Sequence, residues 1–380
     1  MSRRRMLIIS FSPIASDARV LKQVRGFAEA FDVTTCGFGP RPDERVEHIE
    51  LDIPRPNRLR ALWDEGLVRF GRFRTAYWTG PTVRAARAAL RGRSFDVVIS
   101  NDLDTAGLAV ELFGGQHVHC DLHEYWPELH GENAAWMRHR SHLYRWILRT
   151  YVRRAASATT VSARIAEEYR RLFGLDVAVV TNASPEQDLA IHPVSSPLRL
   201  VYSGAGDAER GLESLVEAAA RTTTPVELDL YLVSMTPAYR QSLQDLIDRE
   251  GSPTRIREPL PYAQLVPTLN TYDVGIYQPK PINLNHAYAL PNKVFDFVQA
   301  RLALVIGPAE EMARVVDAYG IGVVTADFTA ESLRQALDAL TTDDVARWKT
   351  ASDRASAALS AEVQQQGWVD AVHSIIETTS

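Results

Sequence analysis

The sequence predicts an α/β protein made of two doubly wound, parallel-sheet domains that face a central cleft. Three observations carry that reading. Short continuous apolar runs recur along the chain, each followed by a stretch of helical periodicity. An aperiodic segment, Ala183–Pro197, holds Pro185, Pro193, Pro197 and several serines and interrupts the pattern as a linker would. Beyond it the alternation starts again, although no sequence repeat accompanies it. The expected domains are residues 1–190 and 191–360, with a terminal segment at 361–380.

In the first half the apolar runs are Met6–Ser10, Val33–Cys36, Val97–Ser100, Val118–Cys120, Ala158–Val161 and Val177–Val180. Runs without polar alternation suit strands buried on both faces of a parallel sheet. Between the first two, Asp17–Phe31 places Val20, Val24, Phe27, Ala28 and Phe31 on one helical face, with Ser16 as N-cap. In the second half, strands are expected at Leu198–Tyr202, Leu228–Val233, Val274–Tyr277, Ala303–Ile306 and Gly322–Val324. Helices such as Gly211–Arg221 and Pro291–Arg301 separate them.

Composition bounds the class. The 380 residues, 46% hydrophobic and 23% charged, can bury real cores and exceed one average domain. With 21 glycines and 20 prolines, collagen-like and low-complexity chains are excluded. Cys36 and Cys120 cannot build a disulfide framework and lack the clustered spacing of a zinc site, so a reducing cytoplasm is expected. No segment approaches the roughly 18 apolar residues of a membrane span. The charged head Ser2–Arg5 precedes an apolar run, Met6–Phe11, too short for a signal peptide, which reads as the first buried strand.

The net charge of −5 conceals an asymmetry. Residues 1–190 carry 27 Lys+Arg against 23 Asp+Glu, whereas residues 191–380 carry 15 against 24. Ten arginines lie from Arg55 to Arg93, with Asp64 and Glu65 the only acids among them. Such a stretch suits phosphate groups or an anionic membrane. The acidic second half argues against nucleic acid as a partner.

In open parallel sheets the ligand sits at the carboxyl ends of strands, so the chemistry is sought there. After Leu198–Tyr202 comes Ser203-Gly204-Ala205-Gly206-Asp207-Ala208-Glu209-Arg210-Gly211, then a helix. The glycines permit close backbone approach, the helix start offers free N–H groups, and Arg210 adds a permanent positive charge. An ordinary glycine turn with a solvated arginine would have the same sequence. Further on, Leu290-Pro291-Asn292-Lys293-Val294-Phe295-Asp296 puts Pro291 at the first helical position and Lys293 in the first turn. A lysine is misplaced there for the helix dipole unless it grips an anion, although a surface Lys293–Asp296 pair fits the same spacing.

A third feature is His117-Val118-His119-Cys120-Asp121-Leu122-His123-Glu124. In an extended strand the histidines and Asp121 would face one way, which raises a metal hydrolase using His119, Asp121 and His123. Against it, the strand should end near Cys120, and Leu122 separates two ligands that such hydrolases keep adjacent. Core histidines or a cleft-lining His123 remain open. Dinucleotide, Walker and nucleophile-elbow motifs are absent.

Taken together, these residues resemble glycosyltransferase family 4, retaining nucleotide-sugar enzymes of GT-B fold (glycosyl transferases group 1). The similarity spans nearly the whole chain. It rests on Ser16-Asp17-Ala18-Arg19-Val20, Asn101-Asp102-Leu103-Asp104, Asp121-Leu122-His123-Glu124, Val179-Val180-Thr181-Asn182, Gly204–Gly211 and, most specifically, Leu290–Asp296. The resemblance implies that residues 1–190 form the acceptor side, with Ser12, Asp17, Asp102, Asp121 and Glu124. Residues 191–360 would bind the donor through Ser203, Gly204, Gly206, Arg210, Tyr288, Ala289, Leu290, Asn292, Lys293 and Asp296. His123, Arg210 and Lys293 would be the catalytic set, with His123 near the transferred sugar and the two cations on the diphosphate. A helix at Glu362–Ile376, with Trp368 and Val372, would cross back to the first domain.

The implied reaction moves a sugar from a UDP- or GDP-sugar to a glycan or lipid-linked acceptor, with retention. It needs no cofactor and no metal, because cations and N–H dipoles can neutralise the leaving diphosphate. It would serve bacterial cell-surface polysaccharide or glycolipid synthesis, in the cytoplasm at the inner face of the membrane. Arg138, Arg140, Arg145, Arg149, Arg153 and Arg154, with Trp136, Tyr144, Trp146 and Tyr151, form a candidate interfacial helix; a solvated basic face over core aromatics is the alternative. This chain departs from the family pattern at Tyr288 and Asp296, where glutamates are usual, at Arg301 and Ala303 (often Gly and Pro), and at Ala205 (often Arg). The glycine pair often found after the first strand is also missing. These departures keep a non-catalytic sugar-nucleotide-binding partner as an alternative.

Overall fold

The computed structural model describes residues 3–52 and 57–379; Ser2 and Arg55 of the segments named above lie outside them. Contacts divide the chain into two compact units. One comprises Met1–Val180, Asn283–Asn285 and Gln365–Ser380, the other Thr181–Ile282 and His286–Gln364.

The first unit begins with β1 (Arg5–Pro13), α1 (Ala18–Phe27), β2 (Asp32–Phe38) and β3 (Glu47–Leu51). Three helices follow, α2 (Arg58–Arg69), α3 (Phe73–Thr79) and α4 (Pro81–Leu90). Next come β4 (Val97–Asn101), α5 (Leu103–Phe113), β5 (Val118–Leu122) and α6 (Ala134–Thr150). The run closes with β6 (Ser157–Thr160), α7 (Ala163–Phe173) and β7 (Ala178–Val179). The sheet is parallel, in the order β3-β2-β1-β4-β5-β6-β7. Strand order reverses between β1 and β4, which fixes where a ligand crevice opens.

The second unit holds β8 (Leu198–Ala205), α8 (Leu212–Arg221), β9 (Val226–Val233), α9 (Pro237–Glu250) and β10 (Thr254–Arg257). It continues with α10 (Tyr262–Leu269), β11 (Val274–Tyr277), α11 (Leu284–Ala287), α12 (Asn292–Gln299) and β12 (Ala303–Ile306). Then come α13 (Glu310–Tyr319), β13 (Gly322–Val324), α14 (Ala330–Asp338), α15 (Thr342–Ala355) and α16 (Ala361–Gln364). Its sheet is also parallel, β10-β9-β8-β11-β12-β13, with the reversal between β8 and β11. Two doubly wound parallel sheets are the predicted fold class.

The last helix, α17 (Gln366–Thr379), belongs to the first unit. Trp368, Val372 and Ile375 are buried in one cluster with Met6, Ile8, Val20, Val24 and Ile99. The expected continuous helix Glu362–Ile376 is broken at Gln365, between α16 and α17. At Gly367 a Cβ would stand 2.7 Å from Val180 Cγ2, so glycine lets the helix seat closely.

Local chemistry corrects other expectations. Asp17, not Ser16, caps α1, accepting from the amides of Arg19 (3.1 Å) and Val20 (3.2 Å), while Ser16 donates to the Pro13 carbonyl. The helix stops at Phe27 rather than Phe31, yet Phe31 stays in the core through an edge-on contact with Phe27 at 5.7 Å. Pro291 is the N-cap of α12, with extended dihedrals, and the helix begins at Asn292. Strands β3 and β10 escaped the sequence reading because both are sheet edges with charged, half-exposed positions instead of an apolar run.

Candidate functional site

In the first unit, polar groups collect at the carboxyl ends of β4 and β5. Asp121, the fourth residue of β5, is fully buried and accepts four hydrogen bonds from three side chains. Arg19 donates to both of its oxygens at 2.7 and 2.8 Å, Gln23 at 2.7 Å and Thr159 at 2.7 Å. Burial opposes its charged form, but Arg19 and His123 outweigh burial and hold the carboxyl well below its usual range. Arg19 also donates to the Val180 carbonyl at 2.8 Å and lies 4.8 Å from the Trp368 ring centroid. The cation that neutralises Asp121 is thus itself anchored by α17.

His123 lies one residue past β5, with Nδ1 3.4 Å from Asp102 and Nε2 3.5 Å from Asp121. Burial disfavours the imidazolium, yet Asp102 and Asp121 overcome it and the net shift is upward. Asp102 sits at φ 64°, a conformation that L side chains rarely adopt, and does not cap α5 with its side chain. Its carboxylate is thereby free to approach His123, and backbone strain of this kind concentrates at functional positions. Burial raises Asp102 above its ordinary value and pushes Glu124 up to about 7 and Asp104 up to about 6. The loop is pinned where Tyr169 donates to the Glu124 carbonyl (2.5 Å) and Asn285 accepts from the Tyr125 amide (2.6 Å). Several titratable groups shifted together mark a site candidate.

Other sequence-chosen residues on this unit make local hydrogen bonds. Asp17 is engaged in the α1 cap, and Ser12 shares a hydrogen bond with Ser10 at 2.8 Å. His119 is buried, with Nδ1 2.8 Å from Ser157 Oγ and Nε2 2.9 Å from Thr159 Oγ1. With both ring nitrogens occupied and Asp121 held by Arg19, these side chains do not fit the proposed hydrolase ligand set. Among the described residues no cluster of three or more His, Cys, Asp or Glu could hold a metal ion.

A neighbouring pocket of about 880 Å³ was not foreseen. It opens beside the ends of β1 and β2, between Tyr77, Tyr144 and Leu143, with Asp104 and Arg140 as its charged walls. Aromatic faces with a carboxyl and a guanidinium suit a sugar ring, which offers both apolar C–H faces and hydroxyls.

In the second unit the pocket lies at the sheet's reversal point. Arg210, after β8, and Tyr277, Pro279 and Lys280, at and after the end of β11, line a space of about 320 Å³ with His286, Ala289 and Pro291. Arg210 Nε is buried without a hydrogen-bond partner, 3.8 Å from Asp207. A guanidinium nitrogen without a hydrogen-bond partner, in a pocket that a lysine and a histidine also line, leaves a donor available to an anion. Lys280 and His286 were missed in the sequence. Lys280 stands three residues beyond β11, where the carboxyl-end rule directs attention, but no glycine flags it.

Lys293 and Asp296 pair at 3.2 Å, as the plainer reading of their spacing required. The pair is not a surface one: Asp296 is fully buried, and Ser184 donates to its other oxygen at 2.5 Å. Lys293 and Asn292 are not among the residues lining the Arg210 pocket, whereas Ala289 is; Tyr288 and Leu290 flank Ala289. The glycines of the first loop answer to packing: a Cβ on Gly204 would meet the Tyr202 hydroxyl at 2.9 Å, and one on Gly206 would meet Met235 Cβ at 2.8 Å. Ser203 is buried at the end of β8. Arg301 adopts φ 59°, which explains why glycine is usual there. The arginine is retained by donating to Asp353, Gln299 and Gln187, each at 2.7 Å.

Two doubly wound sheets, each with polar side chains gathered where strand order reverses, define the architecture of the GT-B glycosyltransferases. Residues 16–185, a little under half of the chain, match the family described as Glycosyl transferase 4-like domain. Solved structures agree in fold. A glycosyltransferase from Rickettsia africae is similar with a TM-score of 0.71 at 11% identity, over 99% of both chains. The Anabaena protein Alr3699/HepE, solved in complex with UDP, gives 0.70 at 12% identity over 97% of this chain and 100% of that one. WaaG, a glycosyltransferase involved in lipopolysaccharide biosynthesis, gives 0.66 at 10% identity over 95% and 98%. A comparison with curated proteins returns no match.

Proposed function

We propose that this protein transfers a sugar from a UDP- or GDP-sugar to a glycan or lipid-linked acceptor, with retention and without a metal. The observation that carries the reading is the pocket where Arg210, with its unpartnered donor, meets Lys280 and His286 at the switch point of the second sheet. Breaking the sugar–diphosphate bond builds negative charge on the leaving group, and fixed cations there lower the barrier. Lys293 joins them by exchanging Asp296 for phosphate. On the first unit His123, its charged form favoured by Asp102 and Asp121, donates to a sugar hydroxyl. The acceptor occupies the pocket of Tyr77, Tyr144, Asp104 and Arg140. The departing phosphate removes the acceptor's proton, so a glycosidase-type carboxylate pair is not required.

The UDP complex of a fold neighbour and the lipopolysaccharide role of another support a nucleotide donor and a place in bacterial cell-surface polysaccharide or glycolipid synthesis. Among the described residues no helix is long and apolar enough to cross a membrane. A cytoplasmic enzyme in peripheral contact with an anionic membrane fits that observation and the basic first half.

The test is incubation with UDP- and GDP-sugars in the presence of chelator, following nucleotide release. Slow donor hydrolysis that survives chelation is the expected result. Failure of every nucleoside diphosphate to bind would overturn the proposal. Tight nucleotide binding without turnover on any acceptor would select the non-catalytic reading, which Tyr288 and the engaged Asp296 motivate.

A further inference from the structure

We propose that α2 is a membrane-docking helix whose outward apolar stripe enters the surface of an anionic bilayer, with the surrounding arginines on lipid phosphates. This deepens the proposed function by locating its membrane contact, and it is read by binding rather than by turnover.

The helix is amphipathic in the inverted sense. Leu59, Leu62 and Trp63 are 80%, 70% and 58% exposed, and Phe70, which caps the helix, is 80% exposed. At 100° per residue these four positions and Gly66 fall on one face. The polar side faces the protein instead: Arg60 donates to Asp64 at 3.0 Å and to Thr79 Oγ1 at 3.0 Å, and Val68 alone of the helix is fully buried. A monomer in water gains nothing from turning leucines, tryptophan and phenylalanine outward while tucking an ion pair inward. Contiguous exposed apolar patches of this kind mark interaction surfaces.

Charge chooses the occupant. Arg58 and Arg69 flank the stripe, and Arg72 and Arg74 follow it, all exposed. The local acids are already matched, Asp64 by Arg60 and Glu65 by Arg140 at 3.5 Å. The rim is therefore positive. Alongside runs a groove lined by Arg74, Arg87, Trp78 and Trp146, in which Arg154 is already paired with Glu111 at 2.6 Å. Indole groups sit at the level of lipid head groups, and guanidinium groups bind phosphate there. A second copy on the same face would press its own arginines against these. An anionic lipid surface satisfies both the stripe and its rim.

The sequence had offered α6 for this role. In the structure its aromatics pack on one another and are at most half-exposed: Trp136 lies 5.6 Å from Tyr144, Trp146 meets Tyr151 edge-on at 5.3 Å, and Tyr151 is 3% exposed. The helix that reaches solvent with apolar groups is α2.

The test is co-sedimentation of the full chain with vesicles of phosphatidylcholine alone or mixed with phosphatidylglycerol. Binding is expected only to the anionic vesicles, weakening as salt rises. Arg58→Glu and Arg69→Glu should each reduce it by about fivefold or more, the worth of one cation at such a surface. The double variant Leu62→Ser/Trp63→Ser should abolish it while thermal stability and nucleotide binding stay unchanged. Equal binding to neutral vesicles, no binding, or an unaffected double variant would overturn the proposal. So would a dimer in solution that the double variant dissociates, since the stripe would then be a protein interface. Sugar transfer can persist through any of these failures, and vesicle binding can persist if transfer fails.

Discussion

Arg19 grips both oxygens of Asp121 at 2.7 and 2.8 Å, although 102 positions separate them in the chain, and neither side chain is more than 4% exposed. The pair ties α1 to the centre of the first sheet and sets the base on which His123 stands. Removing one partner leaves a buried, uncompensated charge. Asp121→Ala should therefore lower stability by about 3–5 kcal/mol in denaturant titration. A loss below about 1 kcal/mol would show that Gln23, Thr159 and water replace the carboxylate easily.

The Arg210 pocket makes a separable claim about the second unit. Arg210→Ala should cut turnover about a hundred- to thousandfold, as for loss of one fixed donor to a developing anion. Lys280→Ala should weaken nucleoside diphosphate binding measured by calorimetry. Unchanged affinity in both variants would remove the anion seat.

Acidity gives a third test. Burial raises Glu124 to about 7, with His123 lowering it and Asp102 raising it, and burial raises Asp104 to about 6. Both folded values exceed those of the unfolded chain, so the folded state binds these protons more tightly. The resulting stabilisation is complete below the unfolded value of about 4 and disappears as pH climbs through the folded values. Asp121, held low, behaves oppositely and loses its contribution only in strong acid. The melting temperature of Glu124→Gln should fall less than that of the parent between about pH 5 and about pH 8. Parallel profiles would show that Glu124 is hydrated.

Arg301 offers a fourth. Glycine would relieve a left-handed strain of about 1–2 kcal/mol but would delete three hydrogen bonds, one buried and two part-buried, of about 1 kcal/mol each. Arg301→Gly should thus be destabilising overall. A melting temperature above that of the parent would reverse the balance.

Much of this was legible in the sequence because buried parallel strands leave unbroken apolar runs, and Val97–Ser100 or Ala303–Ile306 can hardly be anything else. The Arg210 loop was legible for the same reason: it follows such a run. Edge strands β3 and β10 were not, because one face meets solvent and charged residues replace the signal. Lys280 was hidden because nothing local distinguishes a lysine at a strand end from one in any turn. The direction of α2 was hidden as well. Periodicity in Leu59, Leu62 and Trp63 shows that a stripe exists, and only the Arg60–Asp64–Thr79 contacts show that it points outward.

Trp368 closes the cluster that Met6, Ile8 and Val20 open, and its ring lies against the guanidinium that neutralises Asp121. During synthesis, β1 must therefore wait for more than three hundred and fifty further residues before its last apolar wall arrives. Until then the β1–α1 layer lacks a cover, and transiently exposed apolar surface of this kind favours aggregation.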